Sequence, residues 1–509
     1  MRRLQPILWG LVGGLWAGLA MALASLLLRL FGGISIHSEL VGDLLLPHIP
    51  VDQFLALLNR LGGPLHAKDM AILGDIPGLV VAGAACGLLY AAVARRSEGS
   101  VRPARSRALF VVAAVTVGWL VSTAIFWPVL GASYIGLPAG VAALATSIGL
   151  LLTYATYGLA LLLFDRLRRA PAEGEPEGTL VSRRNAILAG SGVLMAAASG
   201  GLLKVLHDGS SLGYDGYRTT SLLPVTPTAD FYVVTKNLID PVVNVAAWRL
   251  EVSGLVDRPA TYSLEDLRRM TPTEHEVTLE CISNSVGAGL ISNALWKGVS
   301  LPALLSAAGL RPGIKIVNLY GADGYLHTTS LDEAMDPAAL VAHEMNGEVL
   351  PDRHGYPARV LMPRNYGEVS VKWLTRIELS GTVDEGYYES QGWKARFVQT
   401  TSRFSAPRAG AVLTGRVRLQ GIAYAAGRGI SSVEVSSDAG SNWTRAKIDY
   451  PGTRATWSLW SLDWAPAGSG DHELVVRATD GDGILQPEAH HGISPSGASG
   501  YHHIQVRVT

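Results

Sequence analysis

The stretch TLECISNSVGAGLISNALWKGVSL, residues 278–301, carries Cys281, one of two cysteines in a chain of 509 residues. Small polar residues and glycines around a thiol fill a packed strand poorly, but they suit backbone that comes close to a bound group. Such a thiol is buried and inert, joined to another molecule, a nucleophile, or a metal ligand. A nucleophile needs a histidine or a cation beside it, and His275, the nearest histidine in sequence, makes no recognisable dyad with Cys281. A soft thiolate bound to a metal is the better chemical reading. One cysteine holds neither zinc nor an iron–sulfur cluster, so the metal must arrive with its other ligands attached.

Which compartment Cys281 faces follows from the chain around it. So long a chain exceeds a single core, and its zero net charge hides a split. Residues 1–206 hold 16 Lys and Arg against 10 Asp and Glu, and the remainder holds 26 against 32. The basic part contains five apolar runs long enough to cross a bilayer, at about 7–30, 72–94, 108–130, 140–164 and 186–206. Its arginines cluster between those runs rather than along a groove-shaped face, which excludes a nucleic-acid partner. Arg2 and Arg3, then Arg95, Arg96, Arg102, Arg105 and Arg107, then Arg166, Arg168, Arg169, Arg183 and Arg184 mark alternate connections. Lys and Arg mark the cytoplasmic side, so the expectation is a multi-pass membrane protein in contact with lipid. Its N-terminus lies in the cytoplasm, and everything after residue 206 lies outside it.

Details of the basic part add further expectations. Gly10, Gly14 and Gly18 form a small-residue stripe suited to close helix packing. The runs contain no histidine, so a bis-histidine haem within them has no ligands; His37, His48 and His66 fall in the first outer loop. Residues 50–63 read as an amphipathic helix that rests on the membrane surface by Phe54, Leu57, Leu58 and Leu61. The run at 186–206 opens with VSRRNAIL, in which Arg183 and Arg184 either form a twin-arginine export signal or only obey the charge rule.

The rest divides by pattern into a stalk, 207–224, a mixed region, 225–403, and an all-strand region, 406–509. In the mixed region AWRLEVSGLV alternates like a strand, SLEDLRRM starts a helix with Ser263 as its cap, and LPALLSAAGL reads as a helix. VKWLTRIELSG reads as a buried strand, and the mixture without regular βαβ spacing predicts an α+β domain. From 406 onward turn residues recur about every ten positions between alternating segments, the pattern of an immunoglobulin-like sandwich. DGDG at 480–483 reads as a turn rather than a calcium loop. Cys86 falls in the second apolar run, so it cannot pair with Cys281.

The cysteine block and a second block, HGYPARVLMPRNYGEVSVKWLTRIEL at 354–379, resemble the sulfite-oxidase family of molybdopterin enzymes. The resemblance covers about 231–379, and the sandwich is similar to that family's dimerisation domain, which allows a homodimer. It implies a molybdenum–molybdopterin cofactor with Cys281 as the protein's thiolate ligand to the metal. It further implies that His354, Arg359, Ser370, Val371 and Lys372 hold the pterin and its phosphate, with Tyr232 and Asp323 also touching the cofactor. Asn284, Asn293 and Trp296 line the substrate pocket by position. Fixed arginine forks and lysine point charges are what a buried phosphate needs. Two departures stand out: Val286 occupies the place of a family arginine, and FYVVTKN offers only Lys236 where another is expected. A dianion in a low-dielectric pocket needs those charges, which argues against sulfite as substrate.

The resemblance implies an oxidoreductase that passes an oxygen atom and two electrons to or from a small substrate, and the apolar runs anchor it in the membrane. The reaction is either oxidation of a sulfur compound or reduction of an S- or N-oxide. No haem is expected in the chain, so electrons travel through a separate partner protein or a quinone. The alternative is a non-catalytic, membrane-anchored binding or sensory protein carrying a degenerate enzyme domain.

Overall fold

Among the described residues, five helices are long and apolar enough to cross a membrane, by length and composition: Ile7–Gly32, Pro64–Arg96, Pro103–Val129, Ala139–Arg169 and Asn185–Asp208. The structure, a computed structural model, describes residues 5–97, 103–169, 183–208, 222–394 and 397–509. Most of the expected stalk lies outside the described residues, as do Val181 and Ser182 of the arginine motif. The chain divides into two units. The first takes in Met1–Leu46, Arg60–Leu212 and Asn237–Val242, and the second takes in Pro47–Asn59, Gly213–Lys236 and Val243–Thr509.

In the first unit the glycine stripe does what its spacing predicts. A Cβ on Gly14 would stand 2.9 Å from Ala84 Cα, and one on Gly18 would stand 2.9 Å from Val80 Cα. Backbones this close leave room for no side chain larger than hydrogen. Asp165, near the end of the fourth helix, accepts from Tyr90 Oη (3.0 Å), Arg107 Nη1 (2.8 Å), Arg168 Nη2 (3.2 Å) and Arg169 Nε (2.9 Å). Arg29 is buried at the end of the first helix. Its Nε donates to both oxygens of Glu39, its Nη2 to Ile239 O at 3.0 Å, and its guanidinium lies 3.7 Å from the Tyr134 ring centre. That set of bonds anchors Asn237–Val242 within the first unit.

The helix Val51–Arg60 belongs almost wholly to the second unit. Val51 and Leu55 pack with Ile282, Tyr366, Trp393 and Tyr424, and Val51 N donates to Gln391 O at 2.7 Å. The expected membrane-facing set differs from this packed edge: Phe54 and Leu58 are half-buried and Leu57 is exposed. Helical spacing fits both faces, and only tertiary packing selects one.

The mixed region of the second unit has two sheets. One runs Ala260–Tyr262, Leu250–Gly254, Leu374–Ser380, Ile316–Gly321, Leu326–Thr329, with its second and third strands parallel. Ser263 caps the helix Leu264–Arg269 as its sequence predicts, accepting from Asp266 N at 3.2 Å. Trp248 and Trp373 fill the core beside this sheet. The other sheet orders Thr273–Glu280, Ile291–Ser300, Leu340–Met345 and Glu348–Val349, and Arg359–Leu361 also pairs with Leu340–Met345. The C-terminal region is all-β. A four-stranded sheet, Thr401–Ala406, Val417–Tyr424, Ser458–Trp464 and Lys447–Tyr450, lies in one layer. A five-stranded sheet, Val412–Leu413, His502–Val508, Gly470–Asp480, Ile430–Ser436 and Thr444–Arg445, lies in the other. Val433, Val435, Leu474 and Val476 of the second sheet meet Phe404 and Trp460 of the first in a common core.

Candidate functional site

Cys281 directly follows the strand Thr273–Glu280, whose partner Ile291–Ser300 runs antiparallel with Glu280 opposite Ile291. Residues 281–290 form the connection. Cys281 N donates to Leu290 O and Asn284 N to Cys281 O, both at 2.9 Å. The Asn284 side chain braces the same turn: Nδ2 donates to Glu280 Oε1 at 2.8 Å and Oδ1 accepts from Leu290 N at 2.9 Å. The polar, glycine-rich composition of the stretch is thus spent on turn geometry around a buried thiol. Cys281 Sγ lies 3.0 Å from Ser283 Oγ. Burial pushes the thiol up to about 12, so a thiolate there requires a cation beside it. Burial also raises Glu280 to about 7 and Glu368 to about 8, and both carboxyls act electrostatically on the thiol.

Phe231 gathers several of the predicted site residues. Its ring stacks on Tyr232 at 5.5 Å, meets Trp296 edge-on at 5.6 Å, and meets His354 edge-on at 5.4 Å. Cys281 belongs to the same buried cluster as Phe231, Tyr232 and Trp296. Arg359 lies beneath, its guanidinium 5.2 Å from the Trp296 ring centre. Its Nη1 donates to His354 O at 3.0 Å and its Nη2 to Ser370 O at 2.9 Å, while its buried Nε has no hydrogen-bond partner. Burial lowers Arg359 to about 10, leaving it a cation at neutral pH. Burial first, then the Arg359 and Lys372 charges, lower His354 to about 3, so its ring is neutral. Lys372 Nζ donates to Val234 O and Arg353 O, each at 3.2 Å. Val371 is a core residue whose carbonyl accepts from Val360 N at 3.0 Å.

A cleft of about 570 Å³ opens against this network, lined in part by Thr228, Phe231, Val233, Asp352, Arg353 and His354. Cys281 is not among its lining residues; Phe231 joins the cleft to the cluster that contains the thiol. Asp323 lies in a turn, its Oδ1 accepting from Tyr325 N at 3.2 Å, and the backbone beside it at Gly321 adjoins Lys372 O. Asn293 is occupied by Pro224 O and by Thr278 Oγ1. Among the described residues no group of three or more His, Cys, Asp or Glu could hold a metal ion.

The C-terminal sheets hold the cysteine strand from one edge. Thr278 N donates to Ala455 O at 2.9 Å, Trp457 N to Thr278 Oγ1 at 2.9 Å, and Tyr424 Oη to Thr278 O at 3.0 Å. His502 covers the turn: a Cβ on Gly287 would stand 2.9 Å from its Cε1 and nearer still to Nε2 and Cδ2. Sequence reasoning missed Phe231, Glu280, Glu368 and His502. Glu280 adjoins the cysteine and had a signal in its position; the others are brought in by tertiary packing alone.

A buried cysteine in one cluster with Phe231, which also lines the cleft, takes its meaning from known proteins, and they define a molybdopterin-binding oxidoreductase. Residues 237–388 match the oxidoreductase molybdopterin binding domain, and residues 401–509 match the Mo-co oxidoreductase dimerisation domain. Sulfite oxidase of Gallus gallus is 30% identical over 317 residues, 52% of this chain and 68% of that one. Mitochondrial sulfite oxidase of Drosophila melanogaster is 28% identical over 341 residues, 56% of this chain and 59% of that one. NADH nitrate reductase of Solanum lycopersicum is 30% identical over 330 residues, 52% of this chain and 36% of that one. The chain therefore spans well under two thirds of the length of the last two relatives. The sulfane dehydrogenase SoxCD from Paracoccus pantotrophus aligns at a TM-score of 0.49 and 27% identity, over 53% of this chain and 76% of that one.

The chain belongs to the sulfite-oxidase family of molybdopterin-dependent oxidoreductases. Its cofactor is accordingly a molybdenum–molybdopterin. The residues present fit that group: Arg359 offers an unused buried N–H, Arg353, His354 and Phe231 line the cleft, and the buried thiol requires a cation to ionise.

Proposed function

We propose that this chain is a membrane-anchored molybdopterin oxidoreductase whose catalytic half faces away from the cytoplasm. It transfers an oxygen atom and two electrons to or from a small substrate. The observation that carries the reading is the convergence of Tyr232, Trp296, His354 and Arg359 on Phe231, in one cluster with Cys281 and beside a cleft. Cys281 provides the thiolate to molybdenum. Arg359, His354, Lys372 and the backbone at Ser370 and Val371 grip the pterin and its phosphate, with Tyr232 and Asp323 contributing at its edges. When bound, the cofactor supplies the redox chemistry. This chain's residues orient it, exclude water and set the charge of the pocket, with Trp296 and Asn284 shaping the wall nearest the thiol.

The electrostatics favour a substrate other than a dianion. Val286 stands five positions after the cysteine, and the buried carboxyls Glu280 and Glu368 act on the thiol. A neutral or weakly charged sulfur compound, or an S- or N-oxide, suits that pocket better than sulfite. The five apolar helices anchor the enzyme, and the arginine pattern turns its N-terminus to the cytoplasm. Arg183 and Arg184 direct export of the folded domain with its cofactor in place. The two C-terminal sheets form an immunoglobulin-like sandwich that joins two copies of the chain. A separate partner protein or a quinone takes up or delivers the electrons.

Metal and pterin analysis of protein from cells able to make the cofactor is the first test. Stoichiometric molybdenum and pterin fluorescence are expected; protein lacking both would point to the non-catalytic alternative. A dye-coupled screen against sulfite, sulfoxides and N-oxides then identifies the substrate, with turnover on sulfite alone contradicting the charge argument.

A further inference from the structure

The first unit holds a second concentration of chemistry, remote in sequence from the molybdopterin blocks. His37 opens the helix His37–Leu45, just past the first long helix, and Asp75 lies inside the second, Pro64–Ser97. Ionisable side chains inside apolar helices are costly, and they mark function when they lack a partner. Asp75 is 6% exposed. Its Oδ1 accepts from Ser38 N at 2.9 Å, and its buried Oδ2 has no partner. His37 Nε2 lies 3.0 Å from Tyr154 Oη, which lies 2.7 Å from Ser122 Oγ, while the buried His37 Nδ1 has no partner. Ser35 Oγ and Ser38 Oγ are likewise buried and unpaired. So many unmet donors and acceptors on two neighbouring elements call for a bound polar group.

The face of the second helix next to Asp75 is open, with Gly74, Pro77 and Gly78 exposed. Gly74 and Gly78 flank it on the second helix, and a Cβ on either would meet nothing within 4 Å. Pro77, between them, cannot donate to the carbonyl one turn earlier, which leaves a further acceptor on that face. A flat ring with polar atoms at opposite ends would meet the unpaired groups of His37 and Asp75, with an apolar tail along the open helix face.

We infer that His37 and Asp75, backed by Tyr154 and Ser122, form a binding site for the head group of a membrane quinone. With Tyr154 donating to Nε2, His37 Nδ1 carries the hydrogen and donates to one quinone oxygen, and the Asp75 carboxyl serves the other. Reduction of quinone to quinol consumes two electrons and two protons. The electrons come from the oxidised substrate, and the protons are handed on through Asp75 and through the Tyr154–His37 pair. With an oxide as substrate the same sum runs in reverse. This assignment rests on the oxidoreductase reading above, takes the quinone of its two electron partners, and locates where it binds.

The test uses the full chain in detergent and a fluorescent heptyl-hydroxyquinoline N-oxide as head-group analogue. Saturable one-site quenching is expected in the wild type. Asp75→Asn and His37→Gln should each weaken it about tenfold, the loss of roughly one good hydrogen bond, and Thr156→Ala, on an exposed helix face, should leave it unchanged. Photolabelling of wild-type protein with an azidoquinone, which needs no variant to fold, should mark peptides containing His37 or Asp75. Labelling elsewhere, or binding indifferent to both variants while a short-chain quinone is still reduced, overturns the site and spares the quinone reading. Dye-coupled turnover with neither quinone reduction nor analogue binding overturns both.

Discussion

Replacing Gly287 by alanine tests how tightly the C-terminal sheets hold the cysteine turn. Gly287 has φ +77°, in the left-handed region, where a Cβ costs roughly 1–2 kcal/mol. The added methyl would also run into the His502 ring, an overpacking cost of about 1–3 kcal/mol. The two together predict a loss of about 2–5 kcal/mol, or roughly 4–20 °C in the melting temperature of the second unit. His502→Ala alone removes the ring but strips Phe404 N of its acceptor at 3.0 Å, costing about 1–3 kcal/mol. If the ring is the obstacle, the double variant loses less than the sum of the singles by about 1–3 kcal/mol. Melting of all four proteins followed by tryptophan fluorescence, with molybdenum content measured in parallel, gives both quantities. A Gly287→Ala protein that melts with the wild type, or penalties that simply add, would refute the reasoning.

Cys281→Ser should remove all turnover and leave the melting temperature within a few degrees (about 1 kcal/mol) of the wild type, because serine keeps the turn's size; full turnover would dismiss the ligand role. Gly14→Leu should destroy the contact between the first two long helices and abolish a monodisperse peak in detergent. Gly190→Leu, where a Cβ meets nothing within 4 Å, should change stability by less than about 0.5 kcal/mol. Stability should also fall on acidification, because burial lowers His502 to about 4 and His354 to about 3 from an ordinary 6.5. The unfolded chain then binds more protons than the folded one, so stability is complete above about 6.5 and is lost as pH falls through that window. Unfolding midpoints between pH 4 and 7 should flatten when both histidines become asparagine.

Much of this architecture is legible in local pattern. Five apolar runs become five long helices, Ser263 caps the helix it precedes, and Val433, Val435, Leu474 and Val476 all face one core. The stripe Gly10, Gly14, Gly18 predicts a close approach, and the second helix supplies it. The candidate site was only half legible. Blocks around Cys281 and His354 are local, but Phe231, the ring on which Tyr232, Trp296 and His354 converge, sits fifty residues before the cysteine with nothing to mark it. Glu368 carries no local mark, and only tertiary packing brings it to where burial raises it to about 8 and it acts on the thiol. The helix at Val51 shows the same limit, since an amphipathic pattern declares that a face will be covered and not what covers it.

The clamp on Thr278 bears on how the protein is made. Ala455, Tyr424 and Trp457 complete the edge of the strand that ends at the cysteine, and they lie more than 140 residues further along the chain. A ribosome will have finished the first sheets long before those residues emerge. The cysteine turn therefore settles only when translation is nearly over, and truncated chains ending before Thr400 should be unable to mature.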